Sequence, residues 1–248
     1  MQAPVTGIDE MPRGGPDASC LDRLLWTDRS EYLDRSDVDP GVRRSVVDAL
    51  NWTGRVFGSH EQFAAIALEE IADVPDPRIL ELGAGHGALA TKLLEFHPSA
   101  HVTVTDVADD AVAAMAAGPL GEHPRATVRV VDATSIDAPD RQFALAVFAL
   151  SFHHLPPAAA AAVLAEGTRV ADKLLIIDLP RPPAPVHVLR LATMLPLAPF
   201  IPFVHDGVIS SLRSYSPSAL RALADHAGVD IELRNSLFGP QIAVATRR

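Results

Sequence analysis

The chain has 248 residues, of which 48% are apolar, enough to bury a sizeable core in one generous domain with an appendage. A formal net charge of −10, without any block of Lys and Arg, argues against a nucleic-acid surface. The single cysteine, Cys20, excludes a disulfide framework and a multi-thiolate metal site, and fits a reducing, cytoplasmic setting.

In chain order, the opening "MQAPVTGIDEMPRGGPD" carries no apolar run of the kind a secretory signal needs, and reads as a disordered leader over residues 1–17. "SCLDRLLW", "GVRRSVVDALNWTG" and "SHEQFAAIALEEIA" then place apolar residues at helical spacing, so residues 18–74 are predicted as an N-terminal helical region. From residue 75 to 248 the pattern changes. Short apolar or β-branched runs ("RILEL", "HVTVTD", "ATVRVVD", "FALAVFAL", "KLLIID") alternate with helical ones, the pattern of a parallel sheet in an α/β domain. "VHVLRLATMLPLAPFIPFV", residues 186–204, is apolar enough to raise a membrane span. Arg190 and prolines 196, 199 and 202 speak against one, so a buried or cleft-lining segment is predicted. The tail predicts a helix capped by Ser216 and two strands, "VDIELRNSL" and "QIAVATRR", joined closely enough to form a hairpin.

"ELGAGHG", residues 81–87, ends the first strand and opens a helix. Glycine there lets backbone turn tightly and approach a ligand, though a bare strand-to-helix turn has the same look. Asp106 ends the second strand about twenty residues on, where it would accept from ribose hydroxyls or cap the next helix. Asp132 follows the third strand. It would accept from an adenine amino group, with the Ala133 backbone beside it, or simply serve a turn.

These stretches, with "FALSFHHLPP" at 148–157, resemble in order and spacing the class I S-adenosylmethionine-dependent methyltransferases. The resemblance covers roughly residues 75–248. It implies a Rossmann-like, doubly wound sheet of seven strands in the order 3-2-1-4-5-7-6, strand seven antiparallel, behind an N-terminal helical lid (18–74), with a cap insertion at about 181–215. It further implies S-adenosylmethionine as cofactor and S-adenosylhomocysteine as product. Glu81 and Gly83 would lie near the methionine part, Asp106 at the ribose, Asp132 and Ala133 at the adenine, and Val107 on an adenine face. Ala84, Gly85, Gly87 and Ala149 complete the implied cofactor set. One departure stands out: Ala144 occupies the place before the fourth strand where the family usually carries an aspartate.

Methyl transfer from a sulfonium is an in-line displacement, so the protein must align donor and acceptor. A weakly acidic hydroxyl also needs a base. His153 and His154 follow the fourth strand and are the leading candidates, His154 first, since imidazole titrates near neutrality. A loop-holding role is the alternative. His205, Asp206, Arg213 and Tyr215 are the polar groups of the cap, with His205 and Tyr215 as further catalytic candidates and a turn at Asp206–Gly207 as the plain alternative. No metal site is predicted. The expected activity is methylation of a hydroxyl on a small molecule such as a sugar or oligosaccharide, a polyketide or a similar metabolite. Carbon methylation of a quinone- or lipid-like acceptor, a non-catalytic cofactor-binding module and a nicotinamide dehydrogenase are the competing readings. The expected partner is the small-molecule acceptor, with no nucleic acid and no membrane span; a homodimer is left open.

Overall fold

The computed structural model describes residues 7–35, 37–235 and 239–248. In chain order the helices are α1 (Cys20–Leu24), α2 (Pro40–Phe57), α3 (Ser59–Glu69), α4 (Ala88–Phe96), α5 (Asp109–Ala116), α6 (Pro119–Glu122), α7 (Pro157–Val170), α8 (Ala184–Met194), α9 (Pro202–Arg213) and α10 (Pro217–Ala227). The strands are β1 (Arg78–Leu82), β2 (His101–Asp106), β3 (Ala126–Val130), β4 (Phe143–Ala149), β5 (Ala171–Asp178), β6 (Val229–Asn235) and β7 (Gln241–Arg247). They form a seven-stranded sheet in the order β3-β2-β1-β4-β5-β7-β6. Neighbours from β3 through β5 are parallel, and β7 runs antiparallel to both β5 and β6. The expected order and strand reversal are therefore observed. The hairpin connection itself runs through residues 236–238, outside the described residues.

The chain divides into two units, one of residues 1–59 and 179–222, the other of 60–178 and 223–248. The second, the sheet unit, owes its core to strands that are apolar on both faces: Ile79, Leu145, Val147, Leu175 and Ile177 are buried on one, Leu80, Leu82, Leu174 and Ile176 on the other. Such continuous apolar runs belong to the middle of a parallel sheet covered on both sides. Leu89, Leu93 and Leu94 of α4 pack into the same core. The register aligns the carboxyl ends of the parallel strands, pairing Leu82 with Phe148, Asp106 with Val130 and Ala149 with Ile177. Ala144 packs against this core, so the family's usual acidic position is filled here by a small apolar group.

The first, helical unit departs from the sequence reading in two places. Residues 7–17 are ordered rather than a disordered leader; residues 1–6 lie outside the described residues. Met11 is buried, the Ser216 N–H donates to the Arg13 carbonyl (2.9 Å), and the Ser216 hydroxyl donates to the Gly14 carbonyl (2.6 Å). These bonds come from the far end of the chain, where helical or strand periodicity gives no hint of them. The predicted 18–74 region splits, because residues 60–74 belong to the sheet unit. The segment 186–204, predicted as buried or cleft-lining, forms α8, a run of turns and the start of α9; it buries His187 and Leu191 and shows Leu189 and Phe200 to solvent (69% and 81% exposed). Buried Arg181 organises this unit: its guanidinium donates to Asp22 Oδ1 (3.0 Å), the Leu212 carbonyl (3.0 Å) and the Leu25 carbonyl (2.7 Å). The desolvation this entails is offset by charge-assisted bonds of that kind.

Candidate active site at the carboxyl edge of the sheet

The exits of β1 and β2 are tied together through backbone. The Ala84 N–H donates to the Thr105 carbonyl (2.9 Å), and the Thr105 hydroxyl donates to the Glu81 carbonyl (2.7 Å). Asp106 then reaches back. Its Oδ2 accepts from the Gly85 N–H (2.8 Å) and its Oδ1 from the Ala108 N–H (3.0 Å). An ionised carboxylate offers about four lone-pair positions, so two remain for a diol after the turn has been fixed. Asp106 thus fixes the turns on either side of it, while α5 has Ala108 as its N-cap and no side-chain cap.

Within the turn, Gly85 and Gly87 play different parts. Both have left-handed backbone, with φ +57° and +74°. A Cβ on Gly87 would stand 2.3 Å from Leu120 Cδ1, so this glycine serves packing beneath α4. A Cβ on Gly85 would meet nothing within 4 Å, which leaves an open cradle lined by backbone. Gly83 lies against Phe148, and Ala84 is half-buried. Val107 is 68% exposed directly after Asp106, an apolar platform with no protein covering it among the described residues. Asp132 Oδ1 accepts from the Thr134 hydroxyl (2.7 Å) and N–H (2.8 Å), which hold its carboxyl below the usual range. It serves a turn, as the plain reading had it, and its second oxygen makes no bond to that threonine. Ala133 follows it, half-buried.

Glu81 is buried, and burial pushes its carboxyl up to about 8, with the Ala90 N–H pulling it down and Asp106 adding to the rise. Its Oε2 has no hydrogen-bond partner among the described residues. A buried carboxyl with one oxygen unsatisfied costs about 1–3 kcal/mol. Placed two residues before an open glycine turn, it suits a ligand that brings a donor or a positive charge. The chemistry of the set fits the expected nucleoside and amino-acid ends: carboxylates for a diol, an apolar platform for a base, a buried acid for a cationic group.

The exit of β4 is strained and strapped. Leu150 is left-handed (φ +55°), uncommon for a leucine, and its N–H donates to the Ile177 carbonyl (2.8 Å). The Ser151 hydroxyl donates to the Gly83 carbonyl (3.1 Å), tying this exit to the glycine turn, with Ala149 half-buried beside it. Strain of this sort persists where surrounding structure over-determines it, commonly at ligand sites. The strap delivers the two histidines. His153 is buried, its N–H donates to Asp178 Oδ2 (2.8 Å), and its Nδ1 lies 2.7 Å from Asp178 Oδ1. His154 is half-buried with its ring 4.3 Å from that of His153.

The sequence named both histidines, His154 first; the structure gives His153 an acid at its ring nitrogen. Asp178, absent from the expected catalytic set, is the residue that orients His153. A signal for it existed: "KLLIID" ends in an acid, and β5 neighbours β4 in the predicted order. Nothing in the sequence pointed to Leu150 or Ser151 as the strap.

His205 and Tyr215 belong to the helical unit. His205 sits on α9, where its ring stacks on Tyr32 (4.0 Å between centroids) and its Nδ1 lies 2.9 Å from Asp206 Oδ1. Asp206 Oδ1 also accepts from the Tyr32 N–H (2.8 Å), so Asp206 is a helical anchor rather than the predicted turn residue. Tyr215 is buried beneath the Arg13 guanidinium, 4.2 Å from the ring centre, a packing role. Arg213 lies 3.7 Å from Asp34, the ion pair foreseen as its plain alternative.

Comparisons with known proteins bear on the domain and the fold. Residues 79–173 match the family model described as "Methyltransferase domain". A malonyl-[acyl-carrier protein] O-methyltransferase of Geobacter sulfurreducens is 38% identical over 46% of this chain and 44% of the relative. The chain spans less than half the length of the curated relatives it matches. Among solved structures, the plantazolicin methyltransferase BpumL, in complex with a desmethyl substrate analogue and SAH, superposes with a TM-score of 0.63 at 12% identity, covering 85% of this chain and 92% of that one. The magnesium protoporphyrin IX methyltransferase of Synechocystis PCC 6803, with bound SAH, gives 0.56 at 18% identity over 92% and 93%. At such identities these likenesses establish a shared fold.

Proposed function

From a methyltransferase domain over residues 79–173 in the class I methyltransferase fold, we propose that the chain transfers a methyl group from S-adenosylmethionine to a hydroxyl of a small molecule. The cofactor supplies a methyl group already activated by its sulfonium. Asp106 would hold the ribose diol, the Gly83–Gly87 turn would admit the chain of the nucleoside, and Glu81 would face its charged end. Val107, Asp132 and Ala133 would receive the base, and Ala149 would line the edge beside them.

The observation that carries the hydroxyl reading is the His153–Asp178 pair. A buried carboxylate on Nδ1 fixes the neutral imidazole as the Nδ1–H tautomer and puts the lone pair on Nε2. Nε2 would take the acceptor's proton as its oxygen attacks, and Asp178 would stabilise the imidazolium that forms, as in other oriented histidine bases. Asp178 also holds the His153 backbone, so ring and main chain move as one. His205 also has an acid at its Nδ1, Asp206, but on α9 of the helical unit.

The test is turnover with isotopically labelled methyl donor on a panel of hydroxylated small molecules, the relatives' acceptor classes included. His153→Ala should lower kcat by roughly 10²–10⁴-fold and Asp178→Asn by a similar order, each with S-adenosylhomocysteine affinity changed only a few-fold. His154→Ala should cost much less. Full activity in His153→Ala, or the loss appearing in His154→Ala alone, would reject the assignment. Cofactor uptake without turnover on any acceptor would favour a binding module instead.

A further inference from the structure

The two units differ in charge and in surface. The helical unit holds eleven arginines against eleven Asp and Glu, the sheet unit ten Lys and Arg against twenty, so the whole net charge resides on the sheet unit. Exposed apolar side chains follow the opposite distribution. Of eighteen large ones among the described residues, fifteen lie in the helical unit. Their densest run is on α8 and the turns after it, where Val186 (55%), Leu189 (69%), Leu197 (48%) and Phe200 (81%) face solvent. The Leu197 N–H donates to the Met194 carbonyl (3.0 Å) and the Ile201 N–H to the Leu197 carbonyl (3.0 Å), so helical winding continues past α8 and keeps these four at the spacing of one face. Isolated apolar residues on a surface need no explanation, but a continuous run of this kind does.

The charge pattern says what would meet it. α2, which packs on α9, exposes Trp52 and Phe57. Together with α8 it carries four arginines (Arg43, Arg44, Arg55 and Arg190) and a single acid, Asp48. An anionic lipid surface matches both these arginines and the apolar face. Among the described residues no helix is long and apolar enough to cross a membrane, so contact is with the surface.

We propose that the helical unit docks on anionic lipid bilayers, Leu189, Leu197 and Phe200 entering the acyl boundary and the arginines of α2 and α8 meeting the headgroups. The docking is independent of the methyl-transfer reading.

Co-sedimentation of the full chain with vesicles of phosphatidylcholine containing about 30% phosphatidylglycerol tests it, an anionic content chosen to exceed the few arginines' need for charge. The chain should partition to these vesicles, less to pure phosphatidylcholine, and less again at high salt. Leu197→Ser/Phe200→Ser should weaken binding on the order of tenfold, with circular dichroism and S-adenosylhomocysteine affinity as in the parent chain. Phe200→Trp keeps the test open should the serine pair fail to fold: its added fluorescence should shift to the blue on vesicles and be quenched by brominated lipid. No partition to anionic vesicles, undiminished partition of a folded serine pair, or an introduced tryptophan untouched by brominated lipid would overturn the proposal. So would a dimer in sedimentation velocity that the serine pair abolishes while vesicles capture nothing, because the face would then belong to a second copy.

Discussion

Glu81 carries its proton through neutrality because its carboxyl is buried with one oxygen unsatisfied. Its pKa rises from 4.5 to about 8 on folding. The protonated form is thus favoured in the folded chain, and this contribution is complete below about pH 4.5 and lost as pH climbs toward 8. Urea unfolding between those limits should show stability falling with pH, and Glu81→Gln should flatten that part of the curve. An unchanged slope in the variant would show that some other group is responsible. At this scale the sequence was informative where a residue type has few uses. Gly85, Asp106 and the two histidines could be named from their places alone. The pairing of His153 with Asp178 could not, because it depends on the left-handed turn at Leu150 and on the neighbouring strand, neither of which residue type encodes locally.

The elements that make the site are strand ends and the turns that leave them. Strands β1, β4 and β5 were legible because both faces are buried, which forces unbroken apolar runs; alternation with helices gave a parallel sheet, and the strand order came from the family resemblance. The Gly83–Gly87 turn separates into packing and ligand duties, and substitution should separate them too. Gly87→Ala adds a clash with Leu120 to its left-handed backbone, and should cost roughly 1–3 kcal/mol in denaturant unfolding. Gly85→Ala meets no protein atom, so beyond the backbone cost of about 1–2 kcal/mol its effect should fall on cofactor affinity. Equal stability losses with unchanged affinity would remove the cradle from the account. What local pattern did not reveal was the docking of residues 7–17, held by Ser216 across two hundred positions of sequence.

Over the whole molecule, charge and apolar surface are divided between the two units, and the division was invisible in the composition because the averages conceal it. The sheet unit, with its acidic surface, carries the glycine turn, the carboxylates and the histidine pair. The helical unit, neutral overall, carries the exposed apolar face. Binding of a sulfonium nucleoside at the sheet edge is the claim on which the methyl-transfer reading depends. Isothermal calorimetry of the chain with S-adenosylhomocysteine tests it most directly, in parallel with Asp106→Ala. The account predicts measurable uptake by the parent chain and a loss of about ten- to a hundredfold in the variant, the worth of hydrogen bonds to a charged group. No uptake by the folded parent chain, or equal affinity in the two proteins, would contradict it.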